Sequence, residues 1–107
     1  MTQSERKRII DQVVREIVAL ARPSKVLLFG STSRGRDDEG GDLDFLVVVH
    51  DDQDAAKVID QLNLKVTTRT LPCDFVVATE QTLKKYGQTS GLVYRDALNT
   101  GTVLYAA

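Results

Sequence analysis

The stretch Asp42 to Val49 (DLDFLVVV) constrains this chain more than any other. After Asp44 it is apolar without interruption and rich in β-branched residues, which is the composition of a strand buried on both faces. Such a strand needs a layer on each side and neighbours along its edges, so the expected class is α/β, a small mixed β-sheet packed by helices. The flanking chain supplies those parts. From Thr2 to Leu20 the apolar residues Ile9, Ile10, Val13, Val14, Ile17, Val18 and Leu20 recur at spacings of three and four, the stripe of an amphipathic helix. Thr2 and Glu5 have the spacing of a capping box, and Pro23 closes the segment. Lys25 to Phe29 (KVLLF) is a short buried strand ended by Gly30. Asp51, Asp52 or Asp54 caps a helix running to about Leu62, with Ala55, Val58, Ile59 and Leu62 as its inner side. Asp74 to Ala78 is a third strand, Thr79 to Tyr86 a short helix stopped by Gly87, Leu92 to Leu98 another stopped near Gly101, and Thr102 to Tyr105 a last edge strand.

Composition removes several classes of function. The 107 residues make one domain, 1–107, and 42% apolar residues fill one ordinary core. Fourteen Lys and Arg against fifteen Asp and Glu leave a formal charge of -1, so no global field favours nucleic acid or an anionic membrane, and direct nucleic-acid binding is not expected. Cys73 is the single cysteine, which excludes an internal disulfide and fits a reducing compartment, read here as the cytoplasm. His50 is the single histidine, leaving little material for a serine-histidine triad or a histidine-rich zinc site. No segment has the length and hydropathy of a membrane span.

Between Asp37 and Asp54 stand eight acidic residues and no Lys or Arg. A solvated acidic loop accounts for Asp37, Asp38, Glu39, Asp51, Asp52 and Asp54. Asp42 and Asp44 are different, because residues i and i+2 of a strand share a face, so both carboxylates project together while Leu43 and Phe45 enter the opposite layer. Adjacent carboxylates repel unless a cation neutralises them or one is protonated. Hard oxygen ligands without a nearby His or Cys select magnesium or manganese over zinc. Upstream, Gly30 turns the backbone off a buried strand and Ser31 offers a hydroxyl and an N–H to a phosphate. The loop is neither a Walker A sequence nor a GxGxxG fingerprint. If the strand begun by Asp74 lies beside Asp42 to Val49, three carboxylates meet next to a phosphate loop, the arrangement that two-metal phosphoryl or nucleotidyl transfer requires.

Gly30-Ser31, ten intervening residues, then Asp42-Leu43-Asp44, with Arg34-Gly35 and the later Asp74, resemble the signature of the minimal nucleotidyltransferases of the DNA polymerase β-like superfamily. The likeness runs from Val26 to Val49, resumes at Asp74 to Thr79 and extends to the tail Ala97 to Tyr105. It implies a polymerase β palm-like nucleotidyltransferase fold, magnesium bound by Asp42 and Asp44 with catalytic help from Asp74, and ATP as a nucleoside triphosphate held by Gly30 and Ser31, with Arg34 on a phosphate. Members of that family are often antitoxins encoded beside a HEPN-domain toxin, and some transfer AMP to a tyrosine of it. The sequence departs from the pattern at Gly41, where the family commonly has Ser, and in the acidic crowding of Asp37, Asp38 and Glu39.

Two rival readings stand beside the enzyme: an antitoxin that masks its toxin by binding alone, and a nucleotidyltransferase acting on a small molecule such as an antibiotic. At the residue level, Asp74 after Pro72-Cys73 is either a catalytic carboxylate or turn chemistry, and Arg34 either orients a phosphate or is a solvated loop cation. Cys73 reads as a small buried hydrophobe, His50 as structural or exposed, and Tyr86, Tyr94 and Tyr105 as core residues.

Overall fold

The computed structural model describes residues 2–29, 42–66 and 71–107. The elements follow in the order α1 (Gln3–Ala21), β1 (Lys25–Phe29), β2 (Leu43–Val49), α2 (Ala55–Lys65), β3 (Cys73–Thr79), α3 (Glu80–Tyr86), α4 (Val93–Thr100) and β4 (Thr102–Ala106). Every expected helix and strand is present, with no end displaced by more than three residues.

The helix ends follow their sequence signals. Thr2 caps α1, its hydroxyl accepting from the Glu5 backbone N–H at 3.1 Å and donating to the Glu5 carboxylate. At the other end Arg22 adopts a left-handed conformation (φ 46°) that turns the chain into Pro23, and its N–H closes on the Val18 carbonyl. Of the three aspartates before α2, Asp54 is the cap, accepting from the N–H groups of Ala56 and Lys57. Asp51 instead accepts from the Gln81 N–H at 2.8 Å and so ties the end of β2 to the start of α3. Thr79 caps α3 through the Thr82 N–H.

The sheet order is β3-β2-β1-β4. β1 pairs antiparallel with both β2 and β4, whereas β2 and β3 are parallel. A parallel pair needs a crossover, and α2 provides it between the end of β2 and the start of β3. The two faces of the sheet carry separate cores. Val26, Leu28, Leu43, Phe45, Val47, Val49, Cys73 and Phe75 pack with Val13 and Ile17 of α1 and Val58 and Leu62 of α2, and the Phe45 and Phe75 rings stack at 5.9 Å. On the opposite face Leu27, Phe29, Leu46, Val48 and Ala78 pack against Ala97, with Leu83 and Leu98 alongside. Alternation along the strands thus fills two helical layers with one sheet. One expectation about the core is corrected: Tyr86 ends α3 at 42% exposure with the Lys85 ammonium over its ring, because no second layer covers that end of so short a helix, while Tyr94 and Tyr105 are half-buried.

Candidate active site

The site is built by the register of β2 against its two neighbours. In the parallel ladder with β3, Asp44 stands directly opposite Asp74, and Leu43 opposite Cys73. Neighbouring strands lie about 4.8 Å apart, so side chains at matched positions on the same face meet. A hydrogen bond from the Leu43 N–H to the Pro72 carbonyl at 2.9 Å fixes the entry of the two strands. In the antiparallel ladder with β1, the partner of Asp44 is Phe29, the last residue of that strand. The chain therefore leaves β1 beside Asp44 and re-enters the described structure at Asp42, so both ends of the segment 30–41 adjoin the carboxylates. Gly30, Ser31 and Arg34 lie outside the described residues.

Electrostatics report the crowding. The Asp44 carboxyl is pushed above its ordinary value first by partial burial, then by the charges of Asp74 and Asp42, and by a side-chain hydrogen bond with Asp74. Two carboxyl groups can share a hydrogen bond only when one holds a proton, so the closeness of Asp74 favours the protonated form of Asp44. The sequence spacing of Asp42 and Asp44 predicts part of this. The larger charge effect comes from Asp74, whose proximity depends on the β2–α2–β3 crossover. Asp74 and Asp42 are exposed and Asp44 half-buried, so all three are open to a ligand from outside.

The donor set suits a hard divalent cation. Among the described residues no three His, Cys, Asp or Glu side chains form a group ready to enclose a metal ion. What the strands offer is two adjoining carboxylates with a third charge in reach. Magnesium is characteristically held by one or two carboxylates, completing its shell with water and phosphate oxygens, so the chemistry of this open set fits it when a polyphosphate is present. A cleft of about 520 Å3 lies at the far end of the sheet, lined by Lys25, Val48, Leu83 and Leu98 among others, and contains none of the three aspartates. Cys73 is buried behind Asp74, its thiol directed to the Leu71 carbonyl, as expected of a small core residue. His50 is exposed at the opposite end of β2.

Sequence reasoning missed Arg6. It is buried on the inner face of α1 together with Val13 and Ile17, and the signal was available, since positions 6, 13 and 17 fall on one helical stripe.

The fold is a mixed sheet packed by helices, and its parallel pair opens on adjoining aspartates. Residues 7–101 match the family model of the nucleotidyltransferase domain, and the chain belongs to that family. It is a nucleotidyltransferase. Among solved structures, a toxin–antitoxin with AMP-PNP is similar at 19% identity and a TM-score of 0.56, covering 89% of this chain and 72% of that one. A mutant of the toxin–antitoxin MntA-HpeT, with two aspartates two positions apart replaced by glutamate, is similar at 16% identity and a TM-score of 0.53, covering 88% and 70%. At such identities the likeness is one of fold. No curated protein matches the sequence. Among the described residues, no helix is long and apolar enough to cross a membrane.

Proposed function

We propose that this nucleotidyltransferase transfers AMP from ATP, with magnesium, to a hydroxyl on a partner toxin of the HEPN type, a tyrosine by preference, and thereby acts as its antitoxin. The observation that carries the reading is the register pair Asp44 and Asp74 with Asp42 two residues upstream, three carboxylates at the strand entries beside the departure of the segment 30–41. The fold likeness to two toxin–antitoxin proteins, one of them with an ATP analogue, supports the choice of partner and of nucleotide.

Asp42 and Asp44 would hold the magnesium, with Asp74 as a further ligand. Bound there, the metal supplies charge neutralisation at the phosphates and a lowered pKa for the acceptor hydroxyl. In the transfer the acceptor oxygen bonds to the α-phosphorus, the bond from that phosphorus to the bridging oxygen breaks, and pyrophosphate departs with its electron pair. Asp74 would receive the hydroxyl proton, a role that its exposure on the edge strand supports. Gly30 and Ser31 would cradle the phosphates and Arg34 would steady them, which fits residues attached directly to the end of β1. Positioning of the acceptor falls to the partner, and such positioning is worth roughly 7 to 11 kcal/mol of barrier.

The test mixes the protein with the product of its neighbouring gene, labelled ATP and magnesium, and searches the partner for adenylate by mass spectrometry. Adenylate on the partner is the expected result. A partner that is bound and inhibited without modification replaces this reading by neutralisation through masking. Label on a free small molecule instead replaces it by a small-molecule transferase.

A further inference from the structure

We infer that the cleft at the far end of the sheet, together with the free edge of β4, binds an extended acidic segment of a partner protein, with an apolar side chain in the cleft and its backbone continuing the sheet. The proposed transfer uses nothing at this end of the molecule. Val48 lies four residues beyond Asp44 on the same face of β2, about 13 Å along the strand. The cleft is thus separate from the carboxylates, and the inference does not rest on the nucleotide reading.

Strand register builds one wall of the cleft and a helix stripe the other. Lys25 is matched to Val48 on one side and to Ala106 on the other, so these three side chains stand in a row across β2, β1 and β4. Facing them, α3 presents Glu80, Leu83 and Lys84, which have the i, i+3, i+4 spacing of a single helical face, and Leu98 of α4 adds to the apolar part. The space between is about 520 Å3, within the range of about 300 to 1,000 Å3 typical of ligand sites. Val48, Leu83 and Leu98 make its interior apolar. Each wall contributes one ammonium, Lys25 and Lys84, and among the described residues neither has a hydrogen-bond or ion-pair partner. Against these two cations stands one carboxylate, Glu80. The balance of charge is complementary to an apolar group accompanied by carboxylates.

The edge of β4 selects a peptide as the occupant. Among the described residues β4 pairs with β1 alone and ends the sheet. The Ala107 N–H donates to the Ser24 carbonyl on the β1 side, and backbone groups alternate in direction along a strand. The N–H and C=O of Ala106 therefore point away from β1, beside the cleft that Ala106 lines. Sheets guard such edges with charged residues, proline or a bulge. β4 (TVLYA) has neither charge nor proline, Val103 is 51% exposed, and the bulge falls between Val103 and Tyr105, on the side away from the cleft. An added strand meets the outward groups with its own backbone and turns alternate side chains to the cleft face, the mode of recognition by strand addition. An apolar residue with acidic residues two positions to either side places all three on that face.

The probe is a blocked, fluorescein-labelled heptapeptide with leucine at its centre, glutamate two positions to either side and threonine elsewhere. A control peptide carries lysine in place of glutamate. Binding to the whole chain is followed by fluorescence anisotropy and by amide chemical shifts. The expected result is a Kd below about 1 mM, at least tenfold tighter than for the control, with shifts at Lys25, Val48, Leu83, Lys84 and Ala106 and none at Asp44 or Asp74. Lys25→Gln combined with Lys84→Gln should raise Kd about tenfold, and so should Ala106→Pro, which removes an outward N–H and no bond to β1. Equal affinity for probe and control, or a Kd within about twofold of wild type in either folded variant, overturns the inference. If Ala106→Pro does not fold by circular dichroism, the lysine pair and the shift map decide by the same criteria. Octanoate that shifts these amides while the peptide shifts none makes the cleft a site for small carboxylates and overturns the inference. A dimer in sedimentation whose interface covers β4 overturns it in favour of a second copy of the chain.

Discussion

Asp44 concentrates the tension in the molecule. Its carboxyl is raised by burial and by Asp74 and Asp42, so the native state binds a proton more tightly than the unfolded chain does. For a carboxyl shifted upward the sign is destabilising: the penalty is absent below its ordinary pKa, about 3.9, and develops as pH rises through the higher native value. Asp44→Asn removes it. The metal-free variant should melt at the same or a higher temperature than wild type at pH 7, with the advantage vanishing near pH 3, while nucleotidyl transfer is abolished. Melting curves at the two pH values and a labelled-ATP assay check both halves, and equal activity of the variant would remove Asp44 from the metal site. Ser31→Ala is the complementary change at the phosphate side. A hydroxyl bond to a charged phosphate contributes on the order of 1.5 to 3 kcal/mol, so ATP affinity or turnover should fall by roughly ten- to a hundredfold with the fold intact. A titration with ATP and magnesium that shows no change would relocate the phosphate loop.

Secondary-structure elements locate these residues, and their ends are where single substitutions tell. Asp54 accepts two backbone N–H groups at the start of α2, the crossover that lays β3 beside β2. Asp54→Ala should cost about 1 kcal/mol, read as a lower urea midpoint with an unchanged slope. At the junction of α4 and β4, Gly101 has no room for a side chain, since a Cβ there would overlap the Ala97 carbonyl oxygen and crowd that of Leu28. Gly101→Ala should therefore destabilise by about 1 to 3 kcal/mol although its backbone angles suit alanine, and hydrogen exchange should rise first in β4. The capping signal at Thr2 was legible in the sequence because a cap acts within three residues of itself. The choice among Asp51, Asp52 and Asp54 was not, because Asp51 is engaged by Gln81, thirty residues away.

Across the whole molecule, one sheet serves two cores, and the candidate site is where β2 and β3 begin and β1 ends. Phe45 and Phe75 join β2 to β3 on the α1 and α2 face, one position along from the Asp44–Asp74 pair. Phe45→Ala should cost about 3 to 5 kcal/mol by leaving a cavity in that core. It should also weaken ATP binding in the fraction that remains folded, since the register of the carboxylates depends on this packing. Thermal unfolding together with titration at a temperature below the transition tests it, and unaltered affinity would mean that the strand entries hold their register without the ring pair. The sequence by itself determined the class of fold, the order of elements and the pairing of Asp42 with Asp44, because hydrophobic period, turn residues and the alternation of a strand are local properties. It also carried the likeness to nucleotidyltransferases through Gly30-Ser31 and the aspartates. Tertiary structure alone decided that Asp74 is a strand neighbour of Asp44 and no mere turn residue, and that Tyr86 lies outside the core. Those facts rest on strand order, parallel register and the coverage of one layer by another, and each joins residues that the chain keeps far apart.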